Sequence, residues 1–226
     1  MKRLLLILLC LPFIGFGQLT MIPDANFEQR LISFGYDNIL DGVVLTAAID
    51  TVTELQVGYY GISDLTGIED FTALTYLNCA HNNLTSLNIS NNTALDTLLC
   101  QINQLTSLDV SQNTALTFLY CSENQLISLD VRNGNNGNFN NFLASNNTNL
   151  YCIDVDDAAW STANWTNIDP QHYFSNNCTG TAIEEHLTNK EFLKVTDLLG
   201  RETKQTNQPL FYIYDDGTVE KKIIIE

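Results

Sequence analysis

The stretch "LTYLNCAHNNLTSLNIS" (74–90) decides the fold, because its pattern returns twice further along the chain. The later copies are "LDTLLCQINQLTSLDVS" (95–111) and "LTFLYCSENQLISLDV" (116–131). Each copy has a cysteine and, three positions later, an asparagine, and successive copies are 21 residues apart. Self-similarity at a period near 20 residues is typical of a solenoid, in which neighbouring units stack because no unit can bury its apolar side alone.

The apolar positions of the repeat are shared as well. Leucines recur in phase in all three copies, and an apolar pair closes each copy, at 87 and 89, 108 and 110, and 129 and 131. The segment 52–73 keeps this frame, with Val57 in the position of the cysteine and Tyr60 in the position of the asparagine. We therefore expect four clear coils, followed by a degenerate coil rich in Asn and Gly.

The repeat cysteines are predicted to be core side chains: Cys79, Cys100 and Cys121. Val57 in the equivalent position indicates an apolar site, and free cysteine is often buried. A zinc site is disfavoured, because zinc needs clustered ligands rather than parallel side chains. A disulfide between units is within reach at a strand spacing of about 4.8 Å, but parallel side chains point the same way and give it poor geometry.

The repeat asparagines are predicted to form a structural ladder: Asn82, Asn103 and Asn124. Where each strand ends in a sharp turn, backbone donors and acceptors would be buried without partners. A stacked amide side chain can satisfy both kinds of group.

These positions resemble the leucine-rich repeat family. The pattern LxxLxCxxNxL recurs in three units and is present in the first of them as Leu74, Leu77, Cys79, Asn82 and Leu84. The unit before it is similar to the short repeat of internalins, with Ile62, Asp64, Leu65 and Ile68. The resemblance covers residues 52–150 and implies a leucine-rich repeat solenoid of parallel β-sheet coils.

The chain opens with "MKRLLLILLCLPFIGFGQ" (1–18), in which two cations precede an apolar run and small residues follow it. This layout predicts a secretory signal peptide over residues 1–17. A lipoprotein anchor at Cys10 is the alternative, but the bulky Leu9 precedes it and the apolar run continues beyond it. We expect a protein exported through the periplasm, secreted or held on the outer cell surface, without a transmembrane segment after signal cleavage.

Residues 18–51 are predicted to form an N-terminal helical cap, because the open ends of a solenoid need covering. Asp24 is a helix N-cap candidate, Phe27 and Leu31 have helical spacing, and Gly35 is a terminator. The following stretch "YDNILDGVVL" (36–45) has a weak likeness to a calcium loop. Its third position is an isoleucine and the distal glutamate is missing, so we favour a turn followed by a strand.

Residues 151–180 are predicted to close the other end as a C-terminal cap. Cys152 and Cys178 lie outside the repeat register of an exported chain, so we predict a disulfide between them. The segment "DDAAWSTANW" (156–165) is predicted to be a short helix that begins at Asp156 or Asp157. Its tryptophans are available to cover the exposed edge of the core: Trp160 and Trp165.

Residues 181–226 are predicted to be a polar linker and a small β module, with strands at 192–196, 202–204, 210–214 and 219–225 joined in part by a turn at 215–217. The stretches "KVTDLLGRE" (194–202) and "GTVEKKIIIE" (217–226) are similar to the type A sorting domain of substrates of the type IX secretion system. The resemblance implies a partner in that machinery, passage across the outer membrane, and a sorting motif that includes Leu199, Gly200, Arg201, Gly217 and Lys222. The alternative is an ordinary β-hairpin on the solenoid.

Charge and motifs exclude several functions. A net charge of −16 argues against nucleic acid and anionic lipid as partners, because the field of the protein repels phosphate. The three histidines, His81, His172 and His186, show no metal-binding spacing. The chain lacks His-Glu-x-x-His, Gly-x-Ser-x-Gly and a phosphate-binding glycine loop. We expect no enzyme, no cofactor and no metal site.

The remaining candidate is the outer side of the repeat sheet, which the family resemblance implies is concave. Side chains that alternate with the inward leucines and cysteines should face outward there: Tyr76, Asn78, Ala80, Thr97, Leu99, Gln101, Phe118, Tyr120 and Ser122. We expect Tyr76, Leu99, Phe118 and Tyr120 to be exposed, and aromatic side chains are favoured as interface anchors. The sequence thus predicts a monomer that binds a protein or a glycan. A structural envelope protein, whose aromatics pack for stability, is the alternative, and a hydrolase is the third.

Overall fold

A computed structural model describes residues 17–178 and the strands at 192–196, 209–214 and 219–223. The chain divides into two compact units, Met1–Cys178 and Thr179–Glu226. Among the described residues, the structure contains no helix with the length and hydrophobicity that a bilayer crossing requires.

The first unit is built from three-residue strands and short helices. In chain order they are β1 (Leu19–Met21), α1 (Ala25–Phe34), β2 (Val43–Leu45), α2 (Thr46–Ile49), β3 (Glu54–Gln56), β4 (Tyr76–Asn78), β5 (Thr97–Leu99), β6 (Ser107–Asp109), β7 (Phe118–Tyr120), β8 (Ser128–Asp130), β9 (Asn141–Leu143), β10 (Cys152–Asp154), α3 (Ala158–Asn164) and β11 (Tyr173–Ser175). Single turns of 3-10 helix cover Ile68–Asp70 and Asn136–Asn138. Such short strands are held by contacts with neighbouring coils, as in other repeat proteins.

The first sheet confirms the predicted parallel solenoid. Its five strands have the order β3-β4-β5-β7-β9, and every neighbouring pair is parallel. The middle residue of each strand is buried and lies in register with the middle residue of the next: Leu55, Leu77, Leu98, Leu119 and Phe142. The inward column is continuous because the 21-residue step returns each leucine to the same place in the coil.

A second parallel sheet, which the sequence analysis did not predict, is formed by the closing segments of the repeats. Its order is β11-β10-β8-β6. Its middle residues are also buried in the core: Leu108, Leu129, Ile153 and Phe174. The alternation in "SLDV" is only four residues long, so the periodicity indicated two apolar positions without a strand.

The N-terminal segment packs into the same core. Helix α1 begins after Asp24, whose side chain accepts hydrogen bonds from the backbone of Asn26 and Phe27, and ends at Gly35 in the left-handed conformation. Phe27 and Leu31 are fully buried. The strand predicted after the turn is β2, which pairs with β1 in antiparallel register. Asp24 also accepts hydrogen bonds from Ser63, so it joins the helix to the first coil.

The C-terminal end of the first unit contains the predicted disulfide between Cys152 and Cys178, whose Cα atoms are 5.8 Å apart. Helix α3 starts from Asp157, whose side chain accepts a hydrogen bond from the backbone of Trp160. Trp165 is 5% exposed and belongs to the core, as the sequence predicted for a side chain covering the core edge.

The second unit contains an antiparallel sheet of order β12 (Phe192–Thr196), β13 (Pro209–Tyr214) and β14 (Val219–Ile223). The first strand has the predicted bounds, and the second starts one residue earlier than predicted. The predicted strand at 202–204, the turn at 215–217 and residues 224–225 lie outside the described residues. So do most of the sorting-motif positions, Leu199, Gly200, Arg201 and Gly217, whereas Lys222 lies in β14.

Candidate functional site

The asparagine ladder holds the turn that follows each strand of the first sheet. The side-chain amide of Asn82 donates to the carbonyl oxygens of Val57 (2.8 Å) and Cys79 (3.0 Å). Its carbonyl oxygen accepts from the backbone of Ile62 (3.0 Å) and Tyr60 (3.2 Å). One buried side chain therefore satisfies donors and acceptors in two coils, as the sequence predicted.

The same geometry repeats along the solenoid. Asn103 donates to Cys79 and Cys100, and Asn124 donates to Cys100 and Cys121, at 3.0–3.1 Å. The ladder has a fourth member that the sequence analysis missed. Asn147 donates to Cys121 and Ala144 and accepts from Leu126. Ala144 stands in the position of the cysteine, so the degenerate coil keeps the motif as Ala-x-x-Asn.

A second column of buried asparagines supports the opposite corner of the coils. Asn92 donates to the carbonyl oxygens of Ile68 and Phe71, and Asn113 donates to those of Ile89 and Asn92, all at 2.9–3.0 Å. These residues belong to the recurring stretch "NTAL", which could have revealed them. The repeat therefore has two polar corners rather than one.

The three repeat cysteines are fully buried and unpaired, as predicted. Burial raises the pKa of the Cys79 and Cys121 thiols to about 12, and it raises the pKa of Cys100 as well. Thiols with so little thiolate are poor nucleophiles and poor metal ligands near neutral pH. The column is a packing feature of the core.

The residue before each ladder position has left-handed backbone geometry. The positive φ angles lie between 55° and 69° at Tyr59, His81, Ile102, Glu123 and Asn146. Side chains other than glycine, asparagine and aspartate rarely adopt this conformation. Each coil accepts the strain because the buried amide that follows fixes the turn.

The candidate binding residues lie on the first sheet in two columns. One column runs through Tyr76, Thr97, Phe118 and Asn141, and the other through Asn78, Leu99, Tyr120 and Leu143. The structure corrects the expected exposure, because Tyr76, Leu99, Phe118 and Tyr120 are half-buried. Neighbouring strands lie only about 4.8 Å apart, so each large side chain is partly covered by those on either side.

The third predicted column is less accessible than expected. Ala80 is buried, at 2% exposure, whereas Gln101 and Ser122 are half-buried. The space outside Ala80 is restricted by the preceding coil, where a Cβ added to Gly58 would lie 3.0 Å from the Ala80 carbonyl oxygen.

An aromatic cluster that the sequence analysis missed borders these columns at the first coils. The ring of Tyr59, which is 72% exposed, stacks on His81 with centroids 3.9 Å apart. The Arg30 guanidinium lies 4.0 Å from the Phe34 ring centroid and 4.4 Å from that of Tyr60. Tyr59 and Tyr60 take the positions of histidine and asparagine in the next unit, and this departure from the repeat was the available signal.

Acidic side chains align on the second sheet. Asp109, Asp130 and Asp154 are in register across three neighbouring strands. Arg132 forms ion pairs with Asp130 and Asp154. Burial alone would raise the pKa of Asp130, but hydrogen bonds and the positive charge of Arg132 hold it below its ordinary value. The arginine therefore relieves repulsion within a column that stacking would otherwise bring close together.

The weak calcium-loop likeness leads to a real acidic cluster. Carboxylate oxygens of Glu28, Asp37 and Asp41 lie within 4.8 Å of one another. The buried Glu28 accepts hydrogen bonds from the backbone of Asp41 (2.8 Å) and Gly42 (2.6 Å). This cluster is explained by its role in holding the turn before β2, which is the structural alternative that the sequence favoured.

The other sequence candidates are placed in structural roles. His172 is buried and makes contacts with Asp169 and with the carbonyl oxygen of Asn147. Asp157 caps α3, as one of the two predicted helix starts. The repeat asparagines and cysteines are buried, so they shape the surface without contributing directly to it.

No model of a known protein family matches the chain. Over 70 residues, or 31% of this chain, the sequence is 39% identical to Internalin J of Listeria monocytogenes serotype 4b (strain F2365). The chain spans 8% of the length of that curated relative. The match supports homology between the repeats of this chain and internalin-like leucine-rich repeats.

Two solved structures are similar to the chain. One is the functional domain of InlJ from Listeria monocytogenes, which includes a cysteine ladder. It has 28% identity and a TM-score of 0.45, and the match covers 62% of this chain and 38% of the other. The second is an internalin, InlF, from Listeria monocytogenes strain 4b F2365, with 22% identity, a TM-score of 0.48 and coverage of 68% and 56%. This chain therefore covers less than two thirds of either solved chain.

Proposed function

We propose that this chain is a secreted or cell-surface binding protein without enzymatic activity, which recognises a protein or a glycan through the concave face of its first sheet. One observation carries the proposal: the outward columns are almost uncharged and place Tyr76, Phe118, Leu99 and Tyr120 on adjacent strands. A nearly neutral aromatic surface on a chain with a net charge of −16 is suited to a partner held by stacking and apolar contact.

The homology to internalin-like repeats supports a binding role. The half-burial of the aromatics also favours a second candidate, a structural envelope protein in which these side chains only stabilise the sheet. The two candidates differ in one respect. A binding surface loses its ligand when the aromatics are replaced, whereas a structural surface loses only stability.

The experiment compares the chain carrying Phe118→Ser and Tyr120→Ser with the unmodified chain on arrays of immobilised glycans and extracellular proteins. The control is Ile127→Ser, which replaces an exposed apolar side chain outside the two columns. We expect the double variant to lose at least tenfold in affinity for the captured ligand and the control to keep it. Equal capture by all three proteins, with folding intact by circular dichroism, would favour the structural candidate.

We propose that N- and C-terminal caps cover the ends of the solenoid, with α1 covering the first coil and the disulfide-linked segment covering the last. Support comes from the buried Phe27 and Leu31 at one end and the buried Trp165 at the other. The domain bounds of the sequence analysis, 18–51 and 151–180, remain predictions.

We propose further that export uses an N-terminal signal peptide and the type IX secretion system, with residues 181–226 as linker and sorting domain. The motifs at 194–202 and 217–226 and the three-stranded antiparallel sheet support this route. Mass spectrometry of culture supernatant and outer membrane tests it. We expect the mature protein to begin at Gln18 and to lack the terminal stretch "KKIIIE", and an intact tail on the secreted form would count against its removal.

A further inference from the structure

A cleft of about 190 Å³ lies at the C-terminal end of the first sheet. One wall is the segment 139–142, which includes the start of β9, and the other is formed by Trp160 and residues 164–167. The backbone of Asn167 continues the sheet, because it forms a parallel bridge with Leu143 and accepts a hydrogen bond from Ala144 at 3.0 Å. The cleft is thus built between the last strand and the segment that extends it.

Aromatic rings make up the apolar part of the cleft. Trp165 stacks on Phe142 with ring centroids 4.2 Å apart, and it contacts Phe139 at 5.2 Å and Trp160 at 5.8 Å. Phe139 and Trp160 are half-buried, so they keep ring surface available to a ligand. The more deeply buried Phe142 and Trp165 fix their positions.

Neutral polar side chains make up the rest of the lining. Asn140, Asn141 and Asn167 are exposed, and their side-chain amides have no hydrogen-bond partner among the described residues. Each free amide offers both a donor and an acceptor. None of the lining residues carries a charge, although the chain has a net charge of −16.

An unsatisfied buried donor in the wall is an independent sign of a binding site. The indole nitrogen of Trp165 has no hydrogen-bond partner among the described residues, and the side chain is 5% exposed. Buried polar groups are almost always paired, so an unpaired one requires an explanation. An indole donor without an acceptor, beside three free amides, is explained by a ligand that brings hydroxyl groups.

We propose that this cleft binds a single neutral sugar ring of a glycan. Aromatic rings accept the apolar face of a sugar, and amide groups exchange hydrogen bonds with its hydroxyls. The cleft is smaller than the roughly 300–1,000 Å³ of sites that enclose drug-sized ligands, so it suits one ring at a time. Anionic sugars are excluded, because the lining offers no cation and the field of the chain is negative.

The site is distinct from the surface invoked in the proposed function. None of Tyr76, Asn78, Thr97, Leu99, Phe118 and Tyr120 lines the cleft. The two proposals therefore fail independently, and one protein can be tested for both.

The chain contains two tryptophans, Trp160 and Trp165, and both line the cleft. Tryptophan fluorescence of the chain, purified with its C-terminal segment, therefore reports on this site alone. We would titrate it with methyl glycosides of glucose, galactose, mannose, N-acetylglucosamine, xylose and fucose. We expect at least one glycoside to give a saturable change in emission, with a Kd on the order of 1 mM, a weak affinity in keeping with the small contact area.

Variants decide whether the change comes from the cleft. Asn141→Ala and Asn167→Ala each remove a free, exposed amide, so folding is preserved, and each should raise the Kd at least fivefold. The matched control, Asn91→Ala, removes an exposed asparagine elsewhere and should leave the Kd unchanged. The Phe118→Ser, Tyr120→Ser variant should also keep the response.

Three results would overturn the proposal: no response to any of the six glycosides, an equal response in the cleft variants and the control, or loss of the response in the Phe118→Ser, Tyr120→Ser variant alone. A peptide that perturbs the emission when all the sugars fail would assign the cleft to a protein ligand instead.

Discussion

The side-chain amide of Asn103 donates to the carbonyl oxygen of Cys79 in the preceding coil at 3.0 Å. The same amide donates to Cys100 in its own coil at 3.1 Å, and its carbonyl oxygen accepts from Leu84. Replacing Asn103 by alanine leaves these three buried backbone groups without partners. Since each unsatisfied group costs about 1–3 kcal/mol, we expect the variant to lose at least about 3 kcal/mol in free energy of unfolding.

Urea denaturation followed by circular dichroism measures this loss. Asn91→Ala is the control, because Asn91 is exposed and has no side-chain hydrogen bond among the described residues. Equal stabilities for the two variants would mean that the ladder contributes little.

The buried thiols should make stability fall at alkaline pH. In the folded chain the pKa of Cys79 and Cys121 is about 12, whereas an unfolded thiol titrates near its ordinary value of 9.0. Their contribution is therefore complete below pH 9 and is lost as the pH rises toward 12. From pH 9 to pH 10 we expect the free energy of unfolding to fall by about 1 kcal/mol per buried thiol.

The comparison is with the variant in which Cys79, Cys100 and Cys121 are all replaced by alanine. Tyrosine and lysine titration is common to both proteins, so only the thiols distinguish the two slopes. Parallel pH profiles would show that the cysteines are not buried in solution.

The disulfide between Cys152 and Cys178 should stabilise the C-terminal end selectively. It closes a segment with a sequence separation of 26, for which restriction of the unfolded chain contributes about 3 kcal/mol. In the variant with both cysteines replaced by serine, we expect hydrogen exchange to accelerate in α3 and β11. Exchange in β4 and β5 should change much less. Uniform acceleration across all coils would instead show that the solenoid unfolds as a single cooperative unit.

Asp24 should contribute to stability only above mildly acidic pH. Burial alone would raise its pKa, but hydrogen bonds from Ser63, Phe27 and Asp64 outweigh it and hold the pKa below the ordinary value of 3.8. Stability from this carboxylate is therefore present above about pH 4 and is lost as the pH falls through the lower folded value. At pH 7 we expect Asp24→Ala to cost about 1–2 kcal/mol, the range for loss of a helix N-cap.

Thermal unfolding from pH 7 to pH 2.5 tests this expectation, and the difference from the unmodified chain should shrink below pH 4. Asp156→Ala is the control, because Asp156 is exposed and its side chain has no hydrogen bond among the described residues. A difference that stays constant across the range would show that the charge of Asp24 is unimportant.

Much of the repeat architecture could be predicted because the 21-residue period gives several independent signals in phase. Leu77 and Cys79 are buried and Asn82 forms the ladder, as expected from their positions in the repeat. The disulfide was predictable for another reason, since Cys152 and Cys178 are the exported cysteines outside that period. Asn147 was missed because its coil replaces cysteine by alanine, which weakens the pattern.

The candidate binding surface was predicted only in part. Strand alternation indicated which side chains face outward, but it overestimated the exposure of Phe118 and Tyr120. Exposure depends on the neighbours across the sheet, and these lie 21 residues away in the sequence. The stacking of Tyr59 on His81 and the approach of Trp165 to Phe142 likewise join residues from different coils.

The amino-acid sequence by itself determined the coil period, the inward columns, the polar corner at Asn82 and its equivalents, and the pairing of Cys152 with Cys178. These features follow from local periodicity and residue chemistry, and each unit states them again. Only the tertiary structure decided the second sheet, the partial burial of the outward aromatics and the cleft beside Trp165. Each of these arises from contacts between coils and end segments, where packing distances rather than residue types set what remains accessible to a ligand.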